Sequence, residues 1–512
     1  MIVPERLNQV PDERPAIYSP DTEHPLSYGQ LRQWAKEVSQ GLLCREIQAG
    51  DVVMYQLPNH REFAVLTLAL WNIGAIPCPV LPQLNRHELH FIAQTTKTRC
   101  VIAWKTWRKT DYQKLYQVAF AELPHVQQIF LDPEKKGQIW HDFGGLAHRA
   151  PLTDLRWESD SPAQILFTSG TTGVPKGVVH THRTLAQALQ AHTDSLHLGA
   201  DDTVWVPSPL AHQTGFLYGM MLAWYLGSAA IYQACWDPLH IKEIMRRFQP
   251  RFIQAALPFL RDVLDVTPTI SSLRYFIVTG APVPRELAAQ ARQRLQCHVS
   301  GAWGSTECCL ATVSTPEDPP EKGWQTDGKP LPGTHLRIVD DQGRIRAAGE
   351  EGRLHVKTPY TFVTYLNQPE ERTRKLNDEG FFDTGDMAYL DAEGFLHLTG
   401  RVQDAINRGG EKIPVKVLED MLYTHPKIVD AALFGISDPR LGERIGLACV
   451  IEPHSTLSLE EVTEFLRDKG IAKIYWPERL WLLESLPRTA SGKIQKYVLK
   501  QQFTDTLSTK GD

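Results

Sequence analysis

The sequence predicts an α/β protein with more than one domain, and three features support this prediction. Short β-rich runs recur between helical stretches, as in DVVMYQLP near residue 51, ILFTSG near 165 and YFIVTG near 275; this alternation is typical of largely parallel sheets. A chain of 512 residues is too long for one hydrophobic core. After about residue 325, short strands around turns, as in HLRIVDDQGRIR and EGRLHVKT, indicate antiparallel sheet.

The longest apolar run, FAVLTLALWNIGAIPCPVL at positions 63–81, approaches the length of a membrane span. An Asn, a Gly and two Pro residues interrupt it, so we expect a buried helix that leads into a buried strand. The segment LYGMMLAWYLGSAAIY at 217–232 has the same pattern. We therefore expect no transmembrane segment.

A domain boundary is expected at GRVQDAINRGGEK, positions 400–412, where turn-forming and charged residues crowd together. About a hundred residues of mixed α/β character follow, which is the size of one small domain. Within them, Ser458 and Glu461 form an S-x-x-E capping box at the start of an amphipathic helix. The predicted division is 1–400, a hinge at 401–404, and 405–512.

Composition indicates a soluble globular protein, with 42% apolar and 22% charged residues. The net charge of −5 gives no electrostatic reason to expect a nucleic-acid partner. The eight cysteines form no C-x-x-C pair, which argues against a structural zinc site and a disulfide framework and fits a reducing compartment. The N-terminal residues lack the basic start and apolar stretch of a signal peptide, so we expect a cytoplasmic protein.

The ten residues TSGTTGVPKG, at positions 168–177, have the composition of a phosphate-binding loop. Apolar, strand-like residues flank it, so we expect a loop between two strands that Gly170 and Gly173 keep flexible. Backbone N–H groups, hydroxyls and the Lys176 ammonium suit a phosphate. The spacing is not that of G-x-x-x-x-G-K-[ST], because Pro175 follows Gly170 by five residues and Lys176 precedes a Gly. An exposed, turn-rich loop is the alternative.

Three further stretches carry chemically useful residues, and each alone has an ordinary structural interpretation. In PSPLAHQTGF, at 207–216, His212 lies between a strand end and a helix start, where a histidine is more often a satisfied core residue. VTGAPVP, at 278–284, reads as a strand end followed by turn residues. WGSTE, at 303–307, combines an aromatic ring for a base, hydroxyls for a phosphate and a carboxylate for Mg²⁺.

Two stretches nearer the C-terminus complete the set. In FFDTGDMAYLDAEGFLHLTGRVQD, at 381–404, Asp386 and Arg401 have the chemistry to hold the two hydroxyls of a ribose. The alternatives are a β-turn aspartate and a surface ion pair. In LPRTASGKIQK, at 486–496, Lys493 follows Ser-Gly and so is expected on a flexible loop, where a lysine is usually just solvated.

Together, in this order and at these separations, the six stretches resemble the adenylate-forming superfamily. It includes acyl- and aryl-CoA synthetases, the adenylation domains of peptide synthetases and beetle luciferase. The resemblance covers nearly the whole chain, and its most specific elements are TSGTTGVPKG, WGSTE, TGD with GRVQD, and the terminal SGK. It implies a large N-terminal domain of α/β subdomains plus a β-rich subdomain, with a small mobile α+β C-terminal domain.

The resemblance also implies that ATP, Mg²⁺ and coenzyme A take part in the reaction. The implied phosphate contacts are Thr168, Ser169, Thr171, Thr172 and Lys176, at the β- and γ-phosphates. Trp303, Gly280, Ala281 and Pro282 would form the adenine slot, and Asp386 and Arg401 would hold the ribose. Gly170 and Gly304 complete the implied ATP-binding set. Thr306 would contact the α-phosphate, Glu307 would hold the Mg²⁺, and Lys493 would stabilise the charge that develops between carboxylate and α-phosphate.

The stretch PSPLAHQTGFLYG most resembles bacterial short- and medium-chain acyl-CoA synthetases, including those acting on cyclohexane carboxylate. The implied acid pocket is small and apolar, with no obvious Arg or Lys, which suits an uncharged acid. Its expected lining is His212, which is also a candidate catalytic residue, with Gln213, Thr214, Gly215, Tyr218, Ala255, Ala256, Leu257 and Gly301.

By the same resemblance, the C-terminal domain swings about a hinge at Asp404 between adenylate and thioester formation. Arg408, Gly409 and Gly410 would then line a pantetheine tunnel. The chain departs from relatives just beyond, at residues 413–419, because the proline of I-x-P-x-E-[IV]-E has moved and one acid is missing. This departure leaves the details of the tunnel wall open.

Three other functions are alternatives to this one. An aryl-acid adenylase that loads a carrier protein is the main alternative, because INRGGEKI and HPKIVDAAL resemble that group, although its members typically have Asn where this chain has Gln213. A catalytically dead relative would be expected to lack residues such as Glu307 and Lys493, which are present. A GTPase or kinase is disfavoured by the loop spacing and by the lack of a kinase catalytic loop.

Overall fold

The structure is a computed structural model. It describes residues 1–132, 152, 157–168, 175–266, 271–280, 285–488 and 494–508, with the side chains of Arg285, Glu286 and residues 504–508 left aside. Eight residues with expected roles lie outside this part of the chain: Ser169, Gly170, Thr171, Thr172, Gly173, Ala281, Pro282 and Lys493.

The N-terminal part contains a four-stranded, fully parallel sheet. Its strands, in spatial order, are Ile76–Pro79, Val52–Gln56, Cys100–Trp104 and Gln127–Leu131. The helices of this region are Tyr28–Leu43, Arg61–Asn72, Arg86–Thr96 and Tyr112–Ala119, and a two-stranded ribbon joins Thr106–Trp107 to Thr110–Asp111. The apolar run at 63–81 forms most of the helix Arg61–Asn72 and the whole strand Ile76–Pro79, and both are largely buried. The prediction of a buried helix and strand is therefore confirmed.

A nine-stranded sheet forms the second layer of the N-terminal part. Its strands, in spatial order, are Lys329–Pro330, Cys309–Val313, His298–Ser305, Tyr275–Val278, Phe252–Ala255, Val204–Val206, Ala230–Tyr232, Pro15–Tyr18 and Leu26–Ser27. The six strands from His298–Ser305 to Pro15–Tyr18 run parallel to one another. Each of the three strands outside them runs antiparallel to its neighbour on the inner side. The parallel strands are almost continuously buried, which shows that both faces of the sheet are covered.

Helices flank this sheet along the chain. They are Val3–Gln9, His182–Ser195, Gln213–Gly215, Leu222–Leu226, Ile241–Phe248, Leu257–Val266, Arg285–Leu295 and Lys322–Gln325, with a π-helical turn at Phe216–Met221 and a 3₁₀ turn at Pro238–His240. The segment at 217–232 follows its expected order of helix, left-handed Gly227 (φ +66°) and strand.

The β-rich region expected after residue 325 is present, and its sheet is antiparallel as predicted. Its strands are His335–Val339, Gly352–Lys357, Phe382–Leu390 and Leu396–Arg401, and the helix Pro369–Lys375 belongs to the same region. A three-stranded sheet of Thr364–Tyr365, Lys176–Thr181 and Pro162–Thr168 joins this region to the parallel sheets.

Residues from 406 onward form a separate small sheet with its own core. Its strands are Ile406–Arg408, Glu411–Ile413, Ile428–Asp438, Gly442–Ile451 and Arg479–Leu482. Its helices are Val415–Leu422, Leu459–Asp468 and Lys496–Ser508, with a 3₁₀ turn at Lys473–Tyr475. A further 3₁₀ turn, Val402–Asp404, precedes the first of these strands. The Ser458–Glu461 capping box is present as predicted. The fold is therefore α/β, with a large N-terminal and a small C-terminal domain.

The small domain contacts the large one through the helix Leu257–Val266. The Arg261 guanidinium donates to the Val429 carbonyl at 2.9 Å and lies 5.5 Å from the centre of the Tyr423 ring. Among the described residues, no helix combines the length and apolar character that a membrane crossing requires.

Candidate active site

The sequence-predicted segments meet at the carboxyl edge of the nine-stranded sheet. Ala256 and Leu257 follow the strand Phe252–Ala255, and Gly280 follows Tyr275–Val278 in a left-handed conformation (φ +88°). The loop to His212 leaves the end of Val204–Val206. Because the carboxyl ends of parallel strands share one edge, the segments that carry His212, Ala256 and Gly280 lie at the same edge of the sheet, at the usual position for a ligand in an open α/β sheet.

The loop before His212 is fixed by Asn59, a residue that sequence analysis missed. The Asn59 amide donates to the carbonyls of Val206 and Ser208 at 3.2 and 2.8 Å, and its oxygen accepts the Leu210 N–H at 2.7 Å. This side chain is buried, so the three hydrogen bonds form away from water. The sequence offered one signal for Asn59: it follows the strand Val52–Gln56 after only Leu57 and Pro58.

His212 caps the short helix Gln213–Gly215. Its Nδ1 accepts the Thr214 backbone N–H at 3.3 Å, which places the proton of a neutral imidazole on Nε2. The expected position between a strand end and a helix start is confirmed. Gly215 is required at this turn, because a Cβ there would lie 2.2 Å from the Pro209 carbonyl oxygen.

Gln213 belongs to a buried polar chain. The Gln164 amide donates to its Oε1 at 2.6 Å, and its own Nε2 donates to the Cys309 sulfur at 3.5 Å. Burial raises the pKa of the Cys309 thiol, so this sulfur stays uncharged. Nearby, the Tyr218 hydroxyl accepts the Leu310 N–H at 2.7 Å. The amide of Gln213 is thus engaged at both ends by other parts of the protein.

The Thr306–Glu307 pair is positioned by two residues that sequence analysis missed. The Tyr365 hydroxyl donates to Glu307 Oε1 at 2.9 Å. His180 Nε2 lies 2.7 Å from the Thr306 carbonyl. Burial lowers the pKa of His180 to about 4, so the ring is neutral near pH 7 and donates its Nε2–H to that carbonyl. The HTH triplet after the phosphate loop was the only sequence signal for His180.

Asp386 and Arg401 lie directly opposite each other on neighbouring antiparallel strands, with Arg401 Nε 3.1 Å from Asp386 Oδ1. The Trp303 indole N–H donates to Asp386 Oδ2 at 3.0 Å. Asp386 therefore lies in a strand, and the alternative of a β-turn aspartate is wrong. Trp303 is buried in the core of the β-rich region, with 6% of its surface exposed.

The phosphate-loop sequence joins two paired strands, as predicted. Thr168 ends the strand Pro162–Thr168 and lies opposite Lys176, which begins the strand Lys176–Thr181. Lys176 Nζ donates to Glu371 Oε2 at 2.8 Å. The fold thus brings Lys176 near the Tyr365–Glu307 pair, since the ammonium lies 5.3 Å from the centre of the Tyr365 ring.

In the small domain, Gly409 and Gly410 form the turn between the strands Ile406–Arg408 and Glu411–Ile413. Both have positive φ, +63° and +95°, which explains why glycine occurs twice. Arg408 Nε donates to Glu478 Oε1 at 2.8 Å, so this side chain is oriented by its own domain. Asp404 lies in the 3₁₀ turn between the last strand of the large domain and the first strand of the small one.

Comparison with known proteins decides the family. The profile described as "AMP-binding enzyme" matches residues 3–366, and "AMP-binding enzyme C-terminal domain" matches residues 417–493. The chain belongs to the AMP-binding enzyme family. The adenylate-forming superfamily inferred from the sequence motifs is thereby confirmed.

Relatives within the AMP-binding enzymes include both CoA ligases and aryl-acid AMP ligases. The chain is 34% identical to the medium-chain fatty-acid–CoA ligase of Escherichia coli K12, covering 94% of this chain and 86% of that protein. It is 32% identical to the salicyl-AMP ligase / salicyl-S-ArCP synthetase of Mycobacterium tuberculosis, covering 93% and 85%.

Solved structures of AMP-binding enzymes share the fold over the full length. ATP-bound MatB from Rhodopseudomonas palustris superposes with a TM-score of 0.89 at 26% identity, covering 99% of this chain and all of that one. Apo MatB from the same organism gives 0.76 at 25% identity, covering 99% of this chain and all of that one.

Proposed function

We propose that this enzyme activates a small or medium uncharged carboxylic acid with ATP and transfers the acyl group to the thiol of coenzyme A. In the first step a carboxylate oxygen attacks the α-phosphorus, the bond to the β-phosphate oxygen breaks, and pyrophosphate leaves. In the second step the thiolate sulfur attacks the acyl carbonyl and AMP leaves. No protein nucleophile is needed, so the protein positions the reactants and stabilises charge.

The nucleotide half of the site supports this proposal. Tyr365 orients the Glu307 carboxylate, and the Lys176 ammonium lies 5.3 Å from the centre of the same ring. Mg²⁺ in nucleotide sites is typically held by one or two carboxylates together with substrate phosphates. No cluster of three or more metal-ligating side chains occurs among the described residues, which fits such a shared site. The metal would neutralise charge on the phosphates, and Glu307, whose carboxylate Tyr365 orients, would hold it.

In the part of the site expected to bind the acid, the contacts of the Gln213 amide carry the choice of substrate class. Aryl-acid adenylases of the carrier-loading group typically place an Asn at this position to read a ring hydroxyl. Here the Gln213 amide is engaged by Gln164 and Cys309, so it is not oriented for a substrate hydroxyl. None of the nine residues expected to line the pocket is a Lys or Arg, so a second carboxylate on the substrate would have no partner there.

The arrangement of the two domains supports a role in adenylate formation. The structure superposes better on ATP-bound MatB than on apo MatB, with TM-scores of 0.89 and 0.76. Arg488 and Ile494, which flank the segment carrying Lys493, are bridged to each other, and Arg488 pairs with Asp430 next to Val429, the residue that contacts the large domain. We propose that Lys493 acts from this side on the developing charge between carboxylate and α-phosphate.

A second candidate is an aryl-acid adenylase that loads a carrier-protein thiol. The similarity to the salicyl-AMP ligase of Mycobacterium tuberculosis favours it, as does the 29% identity to a 2,3-dihydroxybenzoate-AMP ligase of Vibrio cholerae, covering 94% of this chain and 89% of that protein. The two candidates differ in the acid and in the thiol, so one experiment separates them.

That experiment measures carboxylate-dependent pyrophosphate release with ATP and Mg²⁺ across butyrate, hexanoate, octanoate, cyclohexane carboxylate, benzoate and salicylate, each with and without CoA. We expect turnover of aliphatic or alicyclic acids that requires CoA. Activity confined to salicylate and indifferent to CoA would instead establish the carrier-loading function.

A variant of Lys493 tests the catalytic assignment in the same assay. Lys493→Ala should abolish acyl-adenylate formation and leave CoA acylation from a supplied acyl-adenylate intact. Lys473→Ala, which changes an exposed lysine of the same domain, is the matched control and should behave as wild type. Equal loss of both half-reactions in Lys493→Ala would contradict the proposed role.

A further inference from the structure

Glu371 holds the lysine that ends the phosphate loop. Glu371 Oε2 accepts from Lys176 Nζ at 2.8 Å, and the two side chains are only 27% and 11% exposed. The hydrogen bond and the charge of Lys176 lower the pKa of Glu371, so the carboxylate is ionised near neutral pH. Lys176 is therefore part of a shielded ion pair rather than a solvated loop lysine.

The carboxylate is itself fixed by the fold. The strand Thr364–Tyr365 pairs with the strand Lys176–Thr181, which ties the following helix Pro369–Lys375 to the strand that carries Lys176. On this helix, Arg374 Nη1 donates to the second oxygen of Glu371 at 2.9 Å. Both oxygens of Glu371 thus have a cationic partner, and the carboxylate has one defined orientation.

The pair also lies next to the residues that hold Glu307. The Lys176 ammonium lies 5.3 Å from the centre of the Tyr365 ring, and the hydroxyl of that ring donates to Glu307 at 2.9 Å. One contiguous set of contacts therefore joins Glu371, Lys176, Tyr365 and Glu307. The positive and negative groups expected to face the triphosphate are held in a single network.

We propose that Glu371 is a positioning residue that sets the Lys176 ammonium in place for the triphosphate of ATP. This inference rests on the proposed function. A lysine has a flexible four-carbon stem and three N–H donors. One donor is taken by Glu371, which leaves two for phosphate oxygens, and the restriction of the stem before ATP arrives lowers the entropy lost on binding.

The first test compares Glu371→Gln with Glu370→Gln. Glu370 is the exposed neighbour on the same helix, so the control removes the same charge without touching the network. Dissociation of ATP is measured by calorimetry, and KM and kcat are measured by ATP–pyrophosphate exchange. We expect Glu371→Gln to raise the Kd and KM for ATP about tenfold, with kcat and the KM for the acid nearly unchanged. The control should match wild type.

A double-mutant cycle tests whether Glu371 acts through Lys176. Lys176→Met and the double variant Lys176→Met/Glu371→Gln should bind ATP equally weakly, because the carboxylate has nothing left to position. Glu371→Asp, which keeps the charge on a shorter stem, should lie between wild type and Glu371→Gln. Additive losses in the double variant would overturn the proposal.

The outcomes also separate this inference from the proposed function. Wild-type ATP affinity and KM in Glu371→Gln would overturn the role of Glu371 while the function stands. A wild-type protein that neither binds ATP nor exchanges pyrophosphate with any acid would overturn the function itself. The thermal unfolding midpoint of each variant is compared with that of Glu370→Gln, to identify a loss of ATP affinity that is caused by misfolding. If Glu371→Gln is misfolded, the ATP affinity of Glu371→Asp decides whether Glu371 positions Lys176.

Discussion

At the scale of single residues, the site consists of functional side chains held by partners with no reactive role of their own. Tyr365 orients Glu307, and Trp303 orients Asp386, each through one hydrogen bond to a carboxylate. A carboxylate that is fixed before ligand arrives loses less freedom on binding. Mutation of such a partner should therefore weaken binding without removing a reacting group.

The first prediction concerns Tyr365→Phe. Burial and the neighbouring Glu307 carboxylate raise the pKa of Tyr365 above its usual range, so its hydroxyl remains a donor at all working pH values. Its removal should raise the Mg²⁺ concentration needed for half-maximal pyrophosphate exchange about tenfold, as expected for loss of one hydrogen bond to a charged group. A titration of Mg²⁺ at saturating ATP measures this.

The control for this variant is Tyr389→Phe. Tyr389 lies in the same β-rich region, where its ring stacks on His397 with ring centroids 4.5 Å apart. An unchanged Mg²⁺ requirement in Tyr365→Phe, or an equal shift in both variants, would mean that the Tyr365 hydroxyl does not orient the metal-binding carboxylate.

At the scale of secondary-structure elements, the hairpin of His298–Ser305 and Cys309–Val313 carries WGSTE into the site. Its two strands approach closely at Gly304, where a Cβ would lie 2.2 Å from the Cys309 carbonyl oxygen. Gly304→Ala must therefore push the strands apart and displace Thr306 and Glu307 beyond them.

For Gly304→Ala we expect a destabilisation of about 1–3 kcal/mol and a loss of at least tenfold in kcat/KM for ATP. Thermal unfolding and pyrophosphate exchange measure the two effects. Gly199→Ala is the matched control, because a Cβ at Gly199 meets no atom within 4 Å. Full activity in Gly304→Ala would show that the close approach is dispensable.

A second prediction at this scale follows from the helix His182–Ser195 and the strand before it. Burial lowers the pKa of His180 and His182 to about 4 and that of His192 to about 3, against 6.5 in an unfolded chain. The unfolded state thus binds more protons between pH 6.5 and 4. Stability is fully present above pH 6.5 and falls below it, by about 1.4 kcal/mol per pH unit for each histidine.

Urea unfolding at pH 7.5, 6 and 5, followed by tryptophan fluorescence, should show this decline for the wild type. His192→Leu should decline less steeply, because one of the buried titrating groups is gone. His335→Gln changes an exposed histidine and should keep the wild-type slope. Parallel slopes for wild type and His192→Leu would contradict the assignment.

At the scale of the whole molecule, two domains with separate sheets and cores meet at a short connection. Asp404 lies in the 3₁₀ turn between them, and Arg261 bridges to the small domain at Val429. Two half-reactions at one site require the thiol to replace pyrophosphate, so we propose that the small domain moves between them.

Asp404→Pro tests this movement, because proline fixes φ and restricts the turn to one arrangement. We expect pyrophosphate exchange to remain largely intact and CoA acylation to be blocked. The matched control is Asp404→Ala, which removes the same side chain and leaves the backbone of the turn free. Val402→Pro would not serve as a control, because it places a proline in the same turn. Normal overall turnover in Asp404→Pro would remove the argument for a domain swing.

The local elements and the residue types of the site follow from the amino-acid sequence alone. The buried helix and strand expected within 63–81, the Ser458–Glu461 capping box and the paired strands on either side of TSGTTGVPKG are all present as predicted. Apolar periodicity, capping and turn chemistry depend on neighbours within a few residues, so a single sequence is sufficient to predict them.

Which side chains hold these residues is visible only in the folded chain. Glu371 and Lys176 are 195 positions apart, and His180 and Thr306 are 126 apart. In sequence, a glutamate on a charged helix such as PEERTRK reads as solvated surface. Strands far apart in sequence pair in one sheet, as Lys176–Thr181 does with Thr364–Tyr365. The partner of a charged side chain is therefore set by sheet order and register, which no local pattern encodes.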